Sequence, residues 1–178
     1  MIIGISFRIL QNLFSLTFLI ALIAIVGFGG GGTLDSSYNS IGRSIFNLDS
    51  TAAFGSFSEA TVLSGDKILV TGRTAIDGGT YYAVTLCRFH ADGTLDASFG
   101  AGGKVITDSG ITSEGVSLKV QNDGKIVVVA YSGTYPFPAV VHRYTPGGLL
   151  DTSFGNGGIL ATQVEQPRGI GLLPDGGI

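Results

Sequence analysis

One eleven-residue stretch occurs twice and in worn form a third time, and it limits the folds open to the whole chain. Leu95-Asp96-Ala97-Ser98-Phe99-Gly100-Ala101-Gly102-Gly103-Lys104-Val105 returns as Leu150-Asp151-Thr152-Ser153-Phe154-Gly155-Asn156-Gly157-Gly158-Ile159-Leu160. The worn copy begins Leu34-Asp35-Ser36-Ser37-Tyr38, so the copies start 61 and 55 residues apart. Self-similarity at such a period marks a repeat architecture, in which each unit buries its apolar surface against the next. Glycine fills 29 of 178 positions, about twice the usual share of about 7%. Its recurrence in register points to tight turns, not to disorder.

Within the unit that starts at Leu95, the apolar pattern is that of short strands. Lys104-Val105-Ile106-Thr107 is β-prone, and Val116, Leu118 and Val120 alternate with polar residues at period two. Asn122-Asp123-Gly124 is a hairpin signal, because such turns require positive φ. Lys125 to Ala130 is a continuous β-branched run, expected of a strand covered on both faces, and Ala139 to Tyr144 makes a fourth strand. Four short antiparallel strands in 55 residues is the size of one propeller blade. The preceding unit agrees: Asp66-Lys67-Ile68 matches Gly124-Lys125-Ile126, and Leu86-Cys87-Arg88-Phe89 matches Val141-His142-Arg143-Tyr144. The last unit reaches Leu173-Pro174-Asp175-Gly176-Gly177-Ile178, a hairpin turn and the first residue of the strand matching Ile126.

Arg88-Phe89 through Gly103 and Arg143-Tyr144 through Gly158 resemble the delta-60 repeat family, whose pattern is an aromatic and Arg followed by Asp-Gly-x-Leu-Asp-x-Ser-Phe-Gly-x-Gly-Gly. The resemblance covers residues 34–178. It implies β-propeller blades in secreted or surface proteins of bacteria, and it lends no catalytic residues. The expected fold is therefore all-β: four-stranded antiparallel blades, about two and a half of them, at 34–94, 95–149 and an incomplete 150–178. So partial an array is expected to be a fragment or to be completed by another copy. Asp96 and Asp151 are read as turn-formers accepting nearby backbone N–H groups, with Arg88 and Arg143 in position to pair with them. Phe99 and Phe154 are expected to fill the space between adjacent sheets.

Ahead of the repeats, Ile9 to Phe28 carries no charge, with Arg8 before it and small residues at Gly27 and Gly29. That order predicts an N-terminal hydrophobic helix over residues 1–28, acting as a secretory signal or a membrane anchor. Residues 29–33 follow as a glycine-rich tether. The run Ile25 to Gly32 is similar to the start of bacterial lipoproteins, but Phe28 stands where their acylated Cys would be, so lipid anchoring is not expected.

Functional chemistry is sparse. A net charge of −3 lacks the dense basic face that nucleic acid requires. Cys87 is the single cysteine and is read as a small apolar strand residue. The glycines fit no phosphate loop, and their period does not fit a calcium β-roll, although calcium at a loop carboxylate stays open. His90 and His142 fall in different columns of the repeat, so they form no repeated ligand set. Ser98 and Ser153 recur in every copy, which marks a structural residue more than a nucleophile, and Glu59, Glu114 and Glu165 share no motif. No residue is assigned a catalytic, cofactor-binding or metal-ligating role, and no cofactor is expected.

Tyr135, Pro136 and Phe137 lie in a loop where they either touch a partner or cover the neighbouring blade, the second being preferred. The expectation is an exported, non-enzymatic recognition scaffold whose partner is a protein or glycan at the cell surface, with no nucleic acid, and a membrane only through residues 1–28. The alternative is the front of a propeller enzyme, a hydrolase or a metal-dependent one, with its site in further blades. Non-repeated polar residues converging on one channel end would favour the enzyme; variable loop tips would favour the scaffold.

Overall fold

In a computed structural model, the described residues are Ile2–Phe7, Ile23–Phe28 and Arg43–Phe46, together with the continuous stretch 55–178. The first three are strands β1, β2 and β3, which pair antiparallel in the order β1-β2-β3. Of residues 1–28, expected as a hydrophobic helix, Ile2–Phe7 and Ile23–Phe28 are strands and the rest lie outside the described residues. The glycine tether and most of the worn first copy also lie outside them.

Residues 55–165 form two four-stranded antiparallel sheets. The first runs β4 (Gly55–Val62), β5 (Ile68–Ile76), β6 (Tyr81–Phe89) and β7 (Lys104–Thr107) in order. The second runs β8 (Ser113–Val120), β9 (Ile126–Ser132), β10 (Pro138–Tyr144) and β11 (Ile159–Glu165). The strands and hairpins read from residue pattern are present, but the sheets are out of phase with the repeat by one strand. Lys104–Thr107 pairs with β6, with Val84 opposite Thr107 and Cys87 opposite Lys104, rather than opening the sheet that follows. The unit drawn from Leu95 to residue 149 is therefore not one sheet. It supplies the last strand of one sheet and the first three of the next. Each Leu-Asp-x-Ser-Phe-Gly copy is the connection from third strand to fourth.

The central strands are covered on both faces, which is why β5 and β9 read as unbroken apolar runs. Leu69, Val84, Leu86 and Phe99 of the first sheet pack against Leu118, Ile126, Val128, Ala130 and Tyr144 of the second. Ile68, Val70, Cys87 and Phe89 turn to the outer face of the first sheet with Phe57. Burial pushes the Cys87 thiol up, so it stays protonated. Val127, Val129, Ala139 and Val141 take the outer face of the second sheet, where Phe154 and Ile170 lean on them. At the sheet contact Gly115 is required by close approach: a Cβ there would run into Thr71 Oγ1. The first strands also share a kink, a register shift between Phe57 and Glu59 in β4 and between Gly115 and Ser117 in β8.

The third unit starts as the others do. Leu173 N–H donates to Gly177 O (2.8 Å) and Gly176 N–H to Leu173 O (2.9 Å), repeating the bonds from Gln121 to Lys125 O and from Gly124 to Gln121 O. Gln121 Nε2 reaches Gly176 O at 2.7 Å and ties this turn to the second sheet.

Candidate functional site

The sheets have two chemically different ends. At one end lie the repeated motifs. Ser98 N–H and the Ser98 hydroxyl both donate to Asp96 Oδ1 (3.1 and 2.6 Å), while Arg88 Nε donates to Oδ2 at 2.8 Å. Ser153 and Arg143 do the same to Asp151, at 3.1, 2.6 and 2.9 Å. The guanidinium of Arg88 lies over Phe99 at 4.6 Å and that of Arg143 over Phe154 at 4.4 Å. The Arg–Asp pairs expected from spacing are both formed.

A lysine completes each set, and the residue pattern was not enough to assign it. Lys67 Nζ lies 2.7 Å from Asp96 Oδ2, and Lys125 Nζ 3.4 Å from Asp151 Oδ2. Its signal was present in the aligned Asp-Lys-Ile and Gly-Lys-Ile of the hairpins. Burial raises Asp96, but bonds from Lys67, Ser98 and Arg88 outweigh it and hold the carboxyl far below the usual range. The Ser153 hydroxyl, working against burial and joined by its backbone N–H and Lys125, holds Asp151 at about 2. Both carboxylates are ionised, and both serines donate to them. These are turn-fixing groups with no proton to exchange near neutrality.

The other end gathers residues that lie outside the repeated motif. Glu114, on β8, accepts from the Ser58 hydroxyl of β4 at 2.9 Å and from the Tyr131 hydroxyl of β9 at 2.6 Å, and pairs with Arg73 Nη1 of β5 at 3.0 Å. Burial and the bond to Glu114 push the Tyr131 phenol up to about 12. Arg73 stacks on Tyr82 at 4.4 Å, and Tyr131 on Phe137 at 5.2 Å. Arg73 and Tyr131 share one column of the repeat, Tyr82 and Phe137 another, so one contact is kept while its chemistry changes.

From that base the β9–β10 loop carries the aromatic pair outward. Tyr135 is 75% exposed and Phe137 37%, with their rings edge-on at 6.0 Å and 86°. Among the described residues, Phe137 leans on Tyr131 of its own sheet and Tyr135 stands in solvent. Phe137 also has φ +60°, a left-handed conformation that costs a bulky residue about 1–3 kcal/mol. Bonds from Phe137 N–H to Thr134 O and from Gln166 N–H to Phe137 O, both 2.9 Å, hold it there.

Glu59 lies near mid-strand. Burial raises it, but the Ser117 hydroxyl, Leu118 N–H and Lys119 together hold it below its ordinary value. His142 is buried and pushed down to about 4, its Nδ1 3.1 Å from the Tyr144 hydroxyl. His90 sits away from it, with Nε2 3.8 Å from Asp96 Oδ1. Among the described residues, no three His, Cys, Asp or Glu side chains are grouped to hold a metal ion, and no helix is long and apolar enough to cross a membrane.

Residues 66–99 and 121–154 match a family described as a domain of unknown function (DUF5122) beta-propeller. Each matched segment runs from the hairpin before a second strand to the motif phenylalanine. Over those two segments the chain is similar to β-propeller repeats. Those two segments span the Lys–Arg–Asp–Ser–Phe set in each sheet, so the matched pattern and the repeated contacts are the same residues. No curated protein and no solved structure matches.

Proposed function

We propose that this is an exported or cell-surface β-propeller repeat protein of the delta-60 kind, acting as a non-catalytic recognition scaffold. The observation that carries it is the division between the two ends. Acids that recur are paired with cations inside the motif, while Phe137 and Tyr135, the latter standing where the first sheet has Thr80, project from a loop tip. Exposed aromatics on a rigid sheet are what a binding surface needs. Function is inferred from this site and not from the fold, which hosts many activities.

The enzyme alternative keeps one point in its favour: Ser58, Arg73, Glu114 and Tyr131 do converge on one end of the sheets. Against it, the Glu114 carboxylate is matched by the Arg73 guanidinium, and Glu59 is held below its ordinary value, the opposite of what an acid that donates protons at neutral pH requires.

Two measurements test the proposal. Fusing residues 1–28 to a reporter active only outside the bacterial cytoplasm should give activity, and none would remove the export half. Purified full-length protein, offered ester, glycoside and phosphoester chromogenic substrates, should give no turnover. Turnover abolished by Glu114→Gln would overturn the non-catalytic half.

A further inference from the structure

We propose that the corner formed by Tyr135, Phe137 and Tyr131 above the Glu114–Arg73 pair is a binding site for a neutral saccharide chain. This deepens the recognition reading and rests on it. The shape of the corner comes first. Tyr135 and Phe137 meet at 86°, so one ring presents its face as a floor and the other stands as a wall. Tyr131 backs the wall at 5.2 Å and turns its hydroxyl to Glu114. A pyranose ring has the matching form: a flat face of C–H groups that stacks on an aromatic ring, and a rim of hydroxyls that both donate and accept.

The polar groups at the base fit that rim. The Glu114 carboxylate accepts from three protein groups and, with about four lone-pair positions, retains room for a ligand hydroxyl. Arg73 has five N–H donors and places one Nη on Glu114, leaving a donor fork beside the acceptor. Both groups are partly exposed, Arg73 by 34% and Glu114 by 17%, so a ligand reaches them without the sheets opening.

Charge and surroundings exclude other occupants. The carboxylate and guanidinium cancel, and the loop from Ser132 to Pro138 contains no charged residue, so nothing attracts a polyanion or a basic peptide. An amphipathic helix or an acyl chain needs a long apolar strip. Here the row of rings ends at Tyr131, whose hydroxyl bonds to Glu114 of the ion pair. The strained Phe137 backbone fixes the wall before any ligand arrives, and pre-ordering of this kind lowers the entropy lost on binding.

The test uses the full-length protein and titration calorimetry with four neutral hexasaccharides: cellohexaose, chitohexaose, laminarihexaose and maltohexaose. The protein contains no tryptophan, so tyrosine emission gives a second readout free of background. At least one sugar should bind and change tyrosine emission. Tyr135→Ala and Phe137→Ala should each weaken it at least about tenfold, and Tyr135→Phe, which keeps the ring, by less than about threefold. Glu114→Gln should weaken binding while leaving the ring-stacking emission change in place. Leu149→Ala, which alters an exposed residue at the opposite end, should have no effect. Unchanged melting temperatures for the loop variants separate lost binding from lost folding.

Failure of all four sugars at millimolar concentration overturns the saccharide site, as does binding that Tyr135→Ala leaves intact. If the sugars fail while Tyr135→Ala releases the protein from a purified surface protein, the ligand class is wrong and the scaffold reading stands. Hydrolysis of a bound sugar overturns the scaffold reading itself.

Discussion

The two full copies of the motif have the same internal chemistry and different surroundings. Around Asp96 the set is docked: Arg88 Nη1 donates to Pro146 O at 2.9 Å, Gly100 N–H donates to Gly147 O at 2.9 Å, and Phe99 is fully buried. Around Asp151 the same Arg, Lys, Ser and Phe contacts form, yet Phe154 is only partly buried and, among the described residues, no second turn meets Arg143 Nη1. The motif therefore completes itself within one sheet, and its outer surface is a separate docking face for the turn of the next. Folding of a unit and joining of units draw on different faces of the same eleven residues.

The largest expected break in that comparison is Phe99→Ala against Phe154→Ala. Removing the buried ring should cost about 3–5 kcal/mol in urea unfolding, and removing the partly exposed one about 1 kcal/mol. Equal losses would show that docking adds nothing to the first copy. Next is Asp96→Ala, which strands Lys67 and Arg88 at the sheet contact and should cost about 3 kcal/mol. Asp151→Ala, with its lysine at 3.4 Å and no docked turn, should cost about 2 kcal/mol by the same measurement.

Acid sharpens the comparison, because a buried hydrogen-bond chain crosses the docked contact. Thr107 of the first sheet meets the Tyr144 hydroxyl of the second at 2.7 Å, and Tyr144 meets His142 at 3.1 Å. Burial lowers His142 to about 4, below its ordinary 6.5. The folded state thus binds this proton less readily than the unfolded chain. Stability is full above pH 6.5 and falls between 6.5 and 4, by up to about 3 kcal/mol. His142→Gln should flatten that window in a pH series of unfolding curves. A second loss, below about pH 4, should remain in that variant, because the depressed Asp96 and Asp151 carboxyls lose their stabilising charge only as pH falls toward their folded values.

The smallest contrast is between two glycines. Gly148 has φ +91°, and an added Cβ would lie 2.7 Å from Val105 and 3.0 Å from Phe99, across the docked face. Gly157 has φ +64° and open space around it. Gly148→Ala should cost about 2 kcal/mol or more and Gly157→Ala about 1 kcal/mol, both by thermal melts.

Much of this was legible in residue order because it is local. The motif Asp binds groups two and eight positions away, and each hairpin turn is closed within five residues, so spacing alone exposed the Arg88–Asp96 and Arg143–Asp151 pairs. Lys67 and Lys125 were missed although they recur in register, because they stand 29 and 26 positions from the aspartates they meet. Sheet phase was missed for a related reason. Lys104–Thr107 is equally β-prone whichever neighbour it pairs with, and only backbone hydrogen bonding to β6 decides.

By itself, the sequence determined the unit: strand, turn, strand, and a glycine-rich motif that carries its own ion pair. Hydrophobic period and turn chemistry act over a few residues, so they can be read one residue after another. Tertiary structure alone decided that Ser58, Arg73, Glu114, Tyr131 and Phe137 meet at one end, although no common motif joins them. Their meeting depends on the register of four strands and the stacking of two sheets, which is set by apolar burial across the whole domain.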